Sequence, residues 1–583
     1  MNAPGPRRVV RVLPDVPAID KTFDYLVPDG AGDQVRVGTM VRIQLGARRV
    51  GGWVVADDVD PPDGVVPRPV AKVRGWGPSP PVIDLCGWAA WRWAGRTATF
   101  VGTASPDRAV AALPSRPPPG PPAAVVHDSS ALAALAEDAL AGGVAIVRLP
   151  PAADASGVVA EADALGPSLV LCPSVSQSVA VAERLREAGR PVVLMPGDWA
   201  SAAAGGATVV GTRAAAFAPM PGFEEGSGGA VVVLDAHDEG HASGSTPTWS
   251  AVGVGIERAR RAGVPCAVVS PCPTLEHLAL GRLVAPSRAA ERGGWAVLDV
   301  LDRRGDDPRT GLFAERLVPL LRADGRVVFV LNRKGRARLL ACSSCRELQR
   351  CHQCGAAVAE ADGGLRCGRC ATVRPRVCQH CGATTMKALR VGVSRVREEL
   401  EALAGRPVGV VTGDTAEVPD TAVLVGTEAV LHRVTGADIV CFLDFDQELL
   451  GPRYRAAEQA LALLARAARI VGPRSAGGRV VVQTRLPRHP VIVAALHGDP
   501  GRLATAEAPT RAALRFPPAA ALALVSGHAV VTWVAGLPGV DVAGPDAGRW
   551  LLRGSDHRAL CDALAAHPRP PGRLRVEVDP LRL

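Results

Sequence analysis

Lysine is almost absent from this chain: of its 66 basic residues only Lys21, Lys72, Lys334 and Lys387 are lysines, and the rest are arginine. A P-loop motor needs G-x-x-x-x-G-K-[ST], where backbone N–H groups cradle the phosphates and the lysine reaches the terminal one. None of the four lysines follows a glycine-rich turn, so that chemistry is excluded in its usual form. Long hydrophobic runs are missing too. Stretches such as 230–234 and 327–331 are strand-sized, well short of the ~20 residues that cross a bilayer. Residues 1–15 carry Arg7, Arg8 and Arg11 without the apolar stretch of a secretory signal, so a cytoplasmic location is expected.

Cysteine is plentiful. Eight of the 14 fall in four C-x-x-C pairs, Cys342/Cys345, Cys351/Cys354, Cys367/Cys370 and Cys378/Cys381. A C-x-x-C turn sets two thiolates on one edge of a tetrahedron, and two turns close a four-thiolate site with no open position. That pattern means structural Zn²⁺, two ions per chain, with Gly355, Gly368 and Gly382 relaxing the backbone around the metal. Spacing alone leaves all three ways of pairing the four turns open. The other six, Cys86, Cys172, Cys266, Cys272, Cys441 and Cys561, sit in mostly apolar surroundings and are expected to be buried thiols without chemistry.

The net charge of +9 is concentrated: residues 332–397 hold 14 Lys or Arg against Glu347, Glu360 and Asp362, a local +11. Two zinc–tetrathiolate groups, each −2, would still leave this segment positive. A basic field of this kind suits an anionic partner.

At 583 residues the chain exceeds one ordinary core, and roughly four domains are expected. Residues 1–113 alternate short β-rich runs with Pro, Gly and Asp turns and end in the tryptophan-rich 82–100, which reads as a mainly β domain. The proline-rich 114–124 is a stiff linker. Residues 125–290 and 291–484 each show strands alternating with helix-like stretches, the rhythm of a parallel sheet wrapped by helices. The cysteines form an insertion, 342–381, in the second unit, and 485–583 form a small α+β domain. The fold class is therefore α/β multidomain.

With this layout in hand, several phrases resemble the primosomal protein N-prime family, the PriA replication-restart proteins. Residues 19–28 (IDKTFDYLVP), 211–219 (GTRAAAFAP), 332–335 (NRKG), 451–465 with Tyr454, Arg455 and Glu458, and 578–581 (VDPL) occur in that family's order around the eight cysteines. The resemblance covers nearly the whole chain. It implies an amino-terminal 3′-end DNA-binding domain, two RecA-like helicase lobes and a double-zinc insertion. It further implies that Phe23, Asp24, Tyr25, Gly46 and Arg68 form a pocket for the last base of a 3′ strand, and that the C-x-x-C turns pair in nested fashion. Periodicity alone reads Phe23 and Tyr25 equally well as core residues of a strand. The family's winged-helix domain has no room between Phe100 and the first lobe.

The departures bear on activity. Where a P-loop would follow the strand 144–149, the chain reads PPAADASG, and after 230–234 Asp235 is followed by Ala236 and His237. Asp238, Glu239 and His241 come too late to restore the acidic pair. The stretch 466–474 is arginine-rich but lacks the glutamine and glycines of the family's last motif. Both lobes are thus expected to be degenerate, with no catalytic residues. The expected function is replication restart without helicase activity: binding of DNA at stalled forks, 3′ ends and D-loops, in the nucleoid. Expected protein partners are other primosome proteins, the replicative helicase or its loader, and single-stranded DNA-binding protein. An active ATP-dependent 3′–5′ DNA helicase is the rival reading, and a zinc adaptor that touches only proteins is a third.

Overall fold

In the computed structural model, residues 8–16, 19–118, 120, 130–306, 312–322, 324–331, 339–361, 363–388 and 396–582 are described. The NRKG phrase and part of the proline-rich linker lie outside the described residues.

The amino-terminal sheet has six strands in the order Arg68–Pro69, Phe23–Leu26, Val9–Pro14, Arg48–Asp57, Met40–Leu45, Lys72–Gly75. Its strands alternate between two surroundings, as a period of two requires. Val10, Val12, Val41, Ile43 and Val54 fill a small core of their own, while Leu13 and Trp53 face a larger one. The tryptophan-rich stretch folds as helices Pro80–Arg92 and Thr97–Ala104. These helices lie on the first lobe, with the Phe100 ring 5.7 Å from Phe217 and 6.2 Å from Trp249.

The first lobe is a seven-stranded parallel sheet in the order Arg282–Val284, Val144–Arg148, Cys266–Ser270, Val231–Val233, Leu169–Leu171, Thr208–Gly211, Val192–Leu194. The second has six parallel strands, Val297–Asp302, Arg479–Thr484, Ile439–Phe442, Val327–Val330, Val423–Gly426 and Val408–Val411. Covered on both faces by helices, central strands such as Val231–Val233 (VVV), Val327–Val330 (VVFV) and Ile439–Phe442 (IVCF) are apolar throughout instead of alternating. Helix starts carry the expected side-chain caps: Ser174 accepts from Gln177 N, and Asp556 from Ala559 N.

The carboxyl-terminal module is an antiparallel sheet, Asp541–Asp546, Arg549–Gly554, Ala521–Gly527, Leu574–Val578, backed by helix His557–Ala566. Its Val576 and Val578 join one apolar cluster with Ala89 and Phe100 of the early helices and Val231 of the first lobe. The six remaining cysteines are buried, and burial pushes the thiols of Cys172, Cys266 and Cys561 up to about 12. Among the described residues no helix is long and apolar enough to cross a membrane.

Candidate functional site

The cysteine insertion is built from four copies of one backbone turn. In each, the residue after the second cysteine donates its N–H to the carbonyl of the first: Arg346 to Cys342 at 3.0 Å, Gly355 to Cys351 at 2.9 Å, Ala371 to Cys367 at 3.1 Å, Gly382 to Cys378 at 2.9 Å. That residue is left-handed every time, with φ of 65°, 73°, 60° and 77°. Glycine takes this conformation without strain, so Gly355 and Gly382 fit, whereas Arg346 and Ala371 hold it at a cost. Gly368, expected to relax the backbone around a metal, does not have positive φ. It is small for a different reason: a Cβ there would meet Pro452 Cβ at 2.9 Å.

The turns gather in nested fashion. Cys342, Cys345, Cys378 and Cys381 form one quartet and Cys351, Cys354, Cys367 and Cys370 the other, with the sulfurs of each within 4.8 Å of one another. The closest pairs, Cys342/Cys381, Cys345/Cys378, Cys351/Cys370 and Cys354/Cys367, stand 3.5, 3.6, 3.5 and 3.5 Å apart. A tetrahedron with ~2.3 Å metal–sulfur bonds has edges of about 3.8 Å, so each quartet fits a four-thiolate metal site. Ser344 N and Arg369 N each lie 3.4 Å from a cysteine sulfur, aimed to favour thiolate.

The basic segment around these turns is not all surface. Arg369 and Arg374 are buried, and Arg369 anchors the insertion to the second lobe by donating to Gly451 O at 3.0 Å. Arg376 pairs with Glu360, Arg397 with Glu401 and Arg350 with Glu347. The unpaired charge offered to a partner is smaller than the count implied.

In the amino-terminal sheet, Tyr25 is 4% exposed and its hydroxyl donates to Gln44 O at 3.0 Å. Phe23, two residues earlier on the same face, is partly buried against the same cluster. Tyr25 pairs with the exposed Arg68 on the neighbouring strand. Gly46, at φ 60°, opens the two-residue turn between Leu45 and Arg48. Asp24 lies opposite Arg11, which holds both carboxylate oxygens at 2.8 and 3.1 Å.

The cleft between the lobes holds the feature that the sequence reading missed. Pro150 and Pro151 have no N–H, and the amide of Ala152 donates to Gly294 O at 3.2 Å, that of Ala153 to Pro150 O at 3.0 Å and that of Ser156 to Asp154 Oδ1 at 2.9 Å. A phosphate cradle needs such amides free and convergent. Across from this turn runs the second-lobe helix Ala456–Val471, whose Ala and Leu face is buried in its own lobe. Its polar stripe faces the first lobe. Arg469 grips Asp235 with two nitrogens, at 2.8 and 2.7 Å, and reaches Pro151 O at 3.1 Å. Arg466 pairs with Asp238, and Gln459 donates to Glu239.

The contact continues at the end of this helix. Glu458 accepts from Leu275 N at 2.8 Å and from Arg511 at 2.7 Å, and Arg455 donates to Glu276 at 2.9 Å. Tyr454 sits between the Arg455 and Arg511 guanidiniums, at 4.9 and 5.0 Å. Burial raises the Asp235 carboxyl, but the Arg469 guanidinium outweighs it and holds the group well below the usual carboxylate range. Burial pushes the neighbouring His237 down to about 4, and its Nδ1 lies 3.1 Å from Ser270 Oγ. The available signal was the spacing 459, 466, 469, which falls on one helix face opposite the apolar stripe.

A groove of about 620 Å³ opens on the first lobe near the start of helix Val175–Glu187, lined by Ser174, Thr212, Arg213, Ser243, Trp249 and, from the early helices, Thr103. It includes part of the GTRAAAFAP segment.

Two parallel-sheet lobes, a β domain that precedes them in the chain and a cysteine-rich insertion define a multidomain α/β protein. A family model described as the 3′DNA-binding domain (3′BD) of PriA matches residues 11–106. The chain is 30% identical over 584 residues to the probable replication restart protein PriA of Mycobacterium leprae, covering 88% of this chain and 86% of that protein. The corresponding Mycobacterium tuberculosis protein is 28% identical over 586 residues, with the same coverage. Replication restart protein PriA of Treponema pallidum is 29% identical over 389 residues, 58% of this chain and 57% of that one. Among solved structures, a DEAD box protein of Methanococcus jannaschii matches with a TM-score of 0.30 and 10% identity, over 64% of this chain and 87% of its own. The chain belongs to the PriA replication restart protein family.

Proposed function

We propose that this protein recognises abandoned or stalled replication forks and helps reload the replicative helicase, acting as a DNA-binding scaffold without ATP-driven unwinding of its own. The observation that carries the second half is the Asp235–Arg469 pair. Phosphoryl transfer depends on positioning and on neutralising phosphate charge. Here the acidic group that would serve a motor is taken by an arginine of the opposite lobe, and in the turn where phosphates would sit the amides of Ala152, Ala153 and Ser156 are spent on protein acceptors.

The amino-terminal domain supports the DNA half, with Phe23, Asp24, Tyr25, Gly46 and Arg68 as the residues that meet a 3′ end and the domain bounded near 113. Arg213 and the hydroxyls of the first-lobe groove, at a helix N-terminus, suit backbone phosphates of a single strand. The two cysteine quartets suit zinc, which would hold the four turns rigid as a structural ion. Such a protein works on the nucleoid, with forks, D-loops, primosome proteins and the helicase loader as partners.

The test is ATP turnover by the purified protein with and without forked DNA. Turnover should stay at background in both, because each electrostatic loss of this kind costs on the order of 10²-fold or more. Fork-stimulated hydrolysis that Asp235→Ala abolishes would restore the helicase reading.

A further inference from the structure

Arg374 is 9% exposed, and among the described residues it forms no salt bridge with a carboxylate. It lies on the strand Val373–Pro375, which leads from one cysteine quartet to the other. Its nitrogens donate to Val377 O at 2.6 Å, Gln349 Oε1 at 3.1 Å, Arg350 O at 3.4 Å and Pro375 O at 3.5 Å, all neutral acceptors. Among the described residues its Nε has no hydrogen-bond partner. A desolvated guanidinium without a counter-anion is strongly unfavourable, so the charge must be met nearby.

Two of its acceptors adjoin cysteines of different quartets: the carbonyl of Arg350 immediately precedes Cys351 and that of Val377 immediately precedes Cys378. Burial lowers the Arg374 guanidinium from its ordinary value, and the groups that act to raise it are Cys351 and Cys378. Those two cysteines belong to different quartets. Gln349, 3% exposed, completes the link: its Nε2 donates to Cys378 Sγ at 3.3 Å while its Oε1 accepts from Arg374. With a divalent ion in each quartet, the guanidinium stands between two groups of net charge −2.

We infer that Arg374, oriented by Gln349, is a counter-charge shared by the two metal–thiolate centres, so that loading of one centre favours loading of the other. This rests on the reading that both quartets hold zinc. The first ion orders the turns and fixes Arg374 in its desolvated place, and the second finds that ordering already complete. Without the guanidinium the two dianionic centres repel unscreened. Arg374 and Gln349 are positioning residues, since neither is a ligand.

The experiment is native mass spectrometry of the full-length protein in graded chelator. Wild type should pass from the two-zinc form to the metal-free form with little one-zinc species between. Arg374→Met should accumulate the one-zinc form and lose its first ion at about 10- to 100-fold lower chelator, the usual effect of removing a group that supports metal ligands. Gln349→Leu should shift the same way by less, and Arg374→Lys, which keeps the charge, should retain the two-to-none pattern. Packing alone would not distinguish Lys from Met in this direction. A wild-type protein that accumulates the one-zinc form overturns the inference even if no variant folds, as does an Arg374→Met profile identical to wild type. Fewer than two zinc at the outset overturns the zinc reading along with it.

Discussion

Arg469 reaches across the interlobe cleft and holds both carboxylate oxygens of Asp235, at 2.8 and 2.7 Å. The contact neutralises a buried carboxylate and at the same time ties the two lobes together.

Breaking that contact should loosen the protein measurably. Arg469→Ala strands a carboxylate whose side chain is only 8% exposed. Removing one partner of a buried pair costs ~3–5 kcal/mol, and the partial exposure of Arg469 argues for about 2–3 kcal/mol here. The double variant Asp235→Ala/Arg469→Ala should lose less than the two single losses added, as read from denaturant unfolding. Strict additivity would mean that the two groups do not interact in solution.

Acid should weaken the fold before the carboxylates titrate. Burial pushes His237, His277 and His489 down to about 4, whereas unfolded histidine titrates near 6.5. The unfolded chain therefore binds more protons, and stability falls as pH drops from about 6.5 to about 4. His489 shows the mechanism locally, because its Nδ1 accepts from Val491 N at the start of helix Pro490–His497 and protonation removes that acceptor. Melting temperatures at pH 7, 6 and 5 should decline, and less so for His489→Asn, which keeps a cap that does not titrate. Asp235 adds a second window: held below its ordinary pKa, it stabilises fully above about 4 and loses that contribution below.

Elemental analysis should find about two zinc per chain, filling two four-thiolate sites. Anomalous scattering at the zinc edge should place Cys342 with Cys378. A shared ion between Cys342 and Cys367 is the result that would rule out the nested geometry. Gly382→Val, at φ 77°, should cost at least ~1–2 kcal/mol of module stability through left-handed strain.

DNA binding should carry two separable parts. Affinity for forks should fall with salt through counterion release. Phe23→Ala should remove the preference for a free 3′ end, since stacking on one aromatic is worth ~1–3 kcal/mol, and leave the salt-dependent part intact. Asp24→Ala should act likewise. Equal loss on free and blocked 3′ ends would count against the pocket.

Most of the architecture was legible in the sequence because parallel strands covered on both faces need unbroken apolar runs, such as 231–233 and 327–330. The quartets were legible because C-x-x-C spacing is a direct statement about a tetrahedron's edge. Their pairing was not, since that depends on which turns the small sheets bring together. Arg374 and Arg369 were counted with the surface charge because composition carries no burial. Arg469 and Asp235 are separated by more than two hundred residues, and only the docking of the lobes reveals that the two side chains meet. Gly368 was misassigned because a glycine needed for close approach looks the same as one needed for positive φ.

The last strand, Leu574–Val578, completes the apolar cluster that begins with Leu13, Trp53 and the helix Pro80–Arg92. On a ribosome adding roughly 5–20 residues per second, the exposed faces of those early helices would wait on the order of half a minute or more for their final covering. Maturation of this protein is therefore governed by the slowest arrival: the early helices keep an apolar face open until the strand Leu574–Val578 has been made.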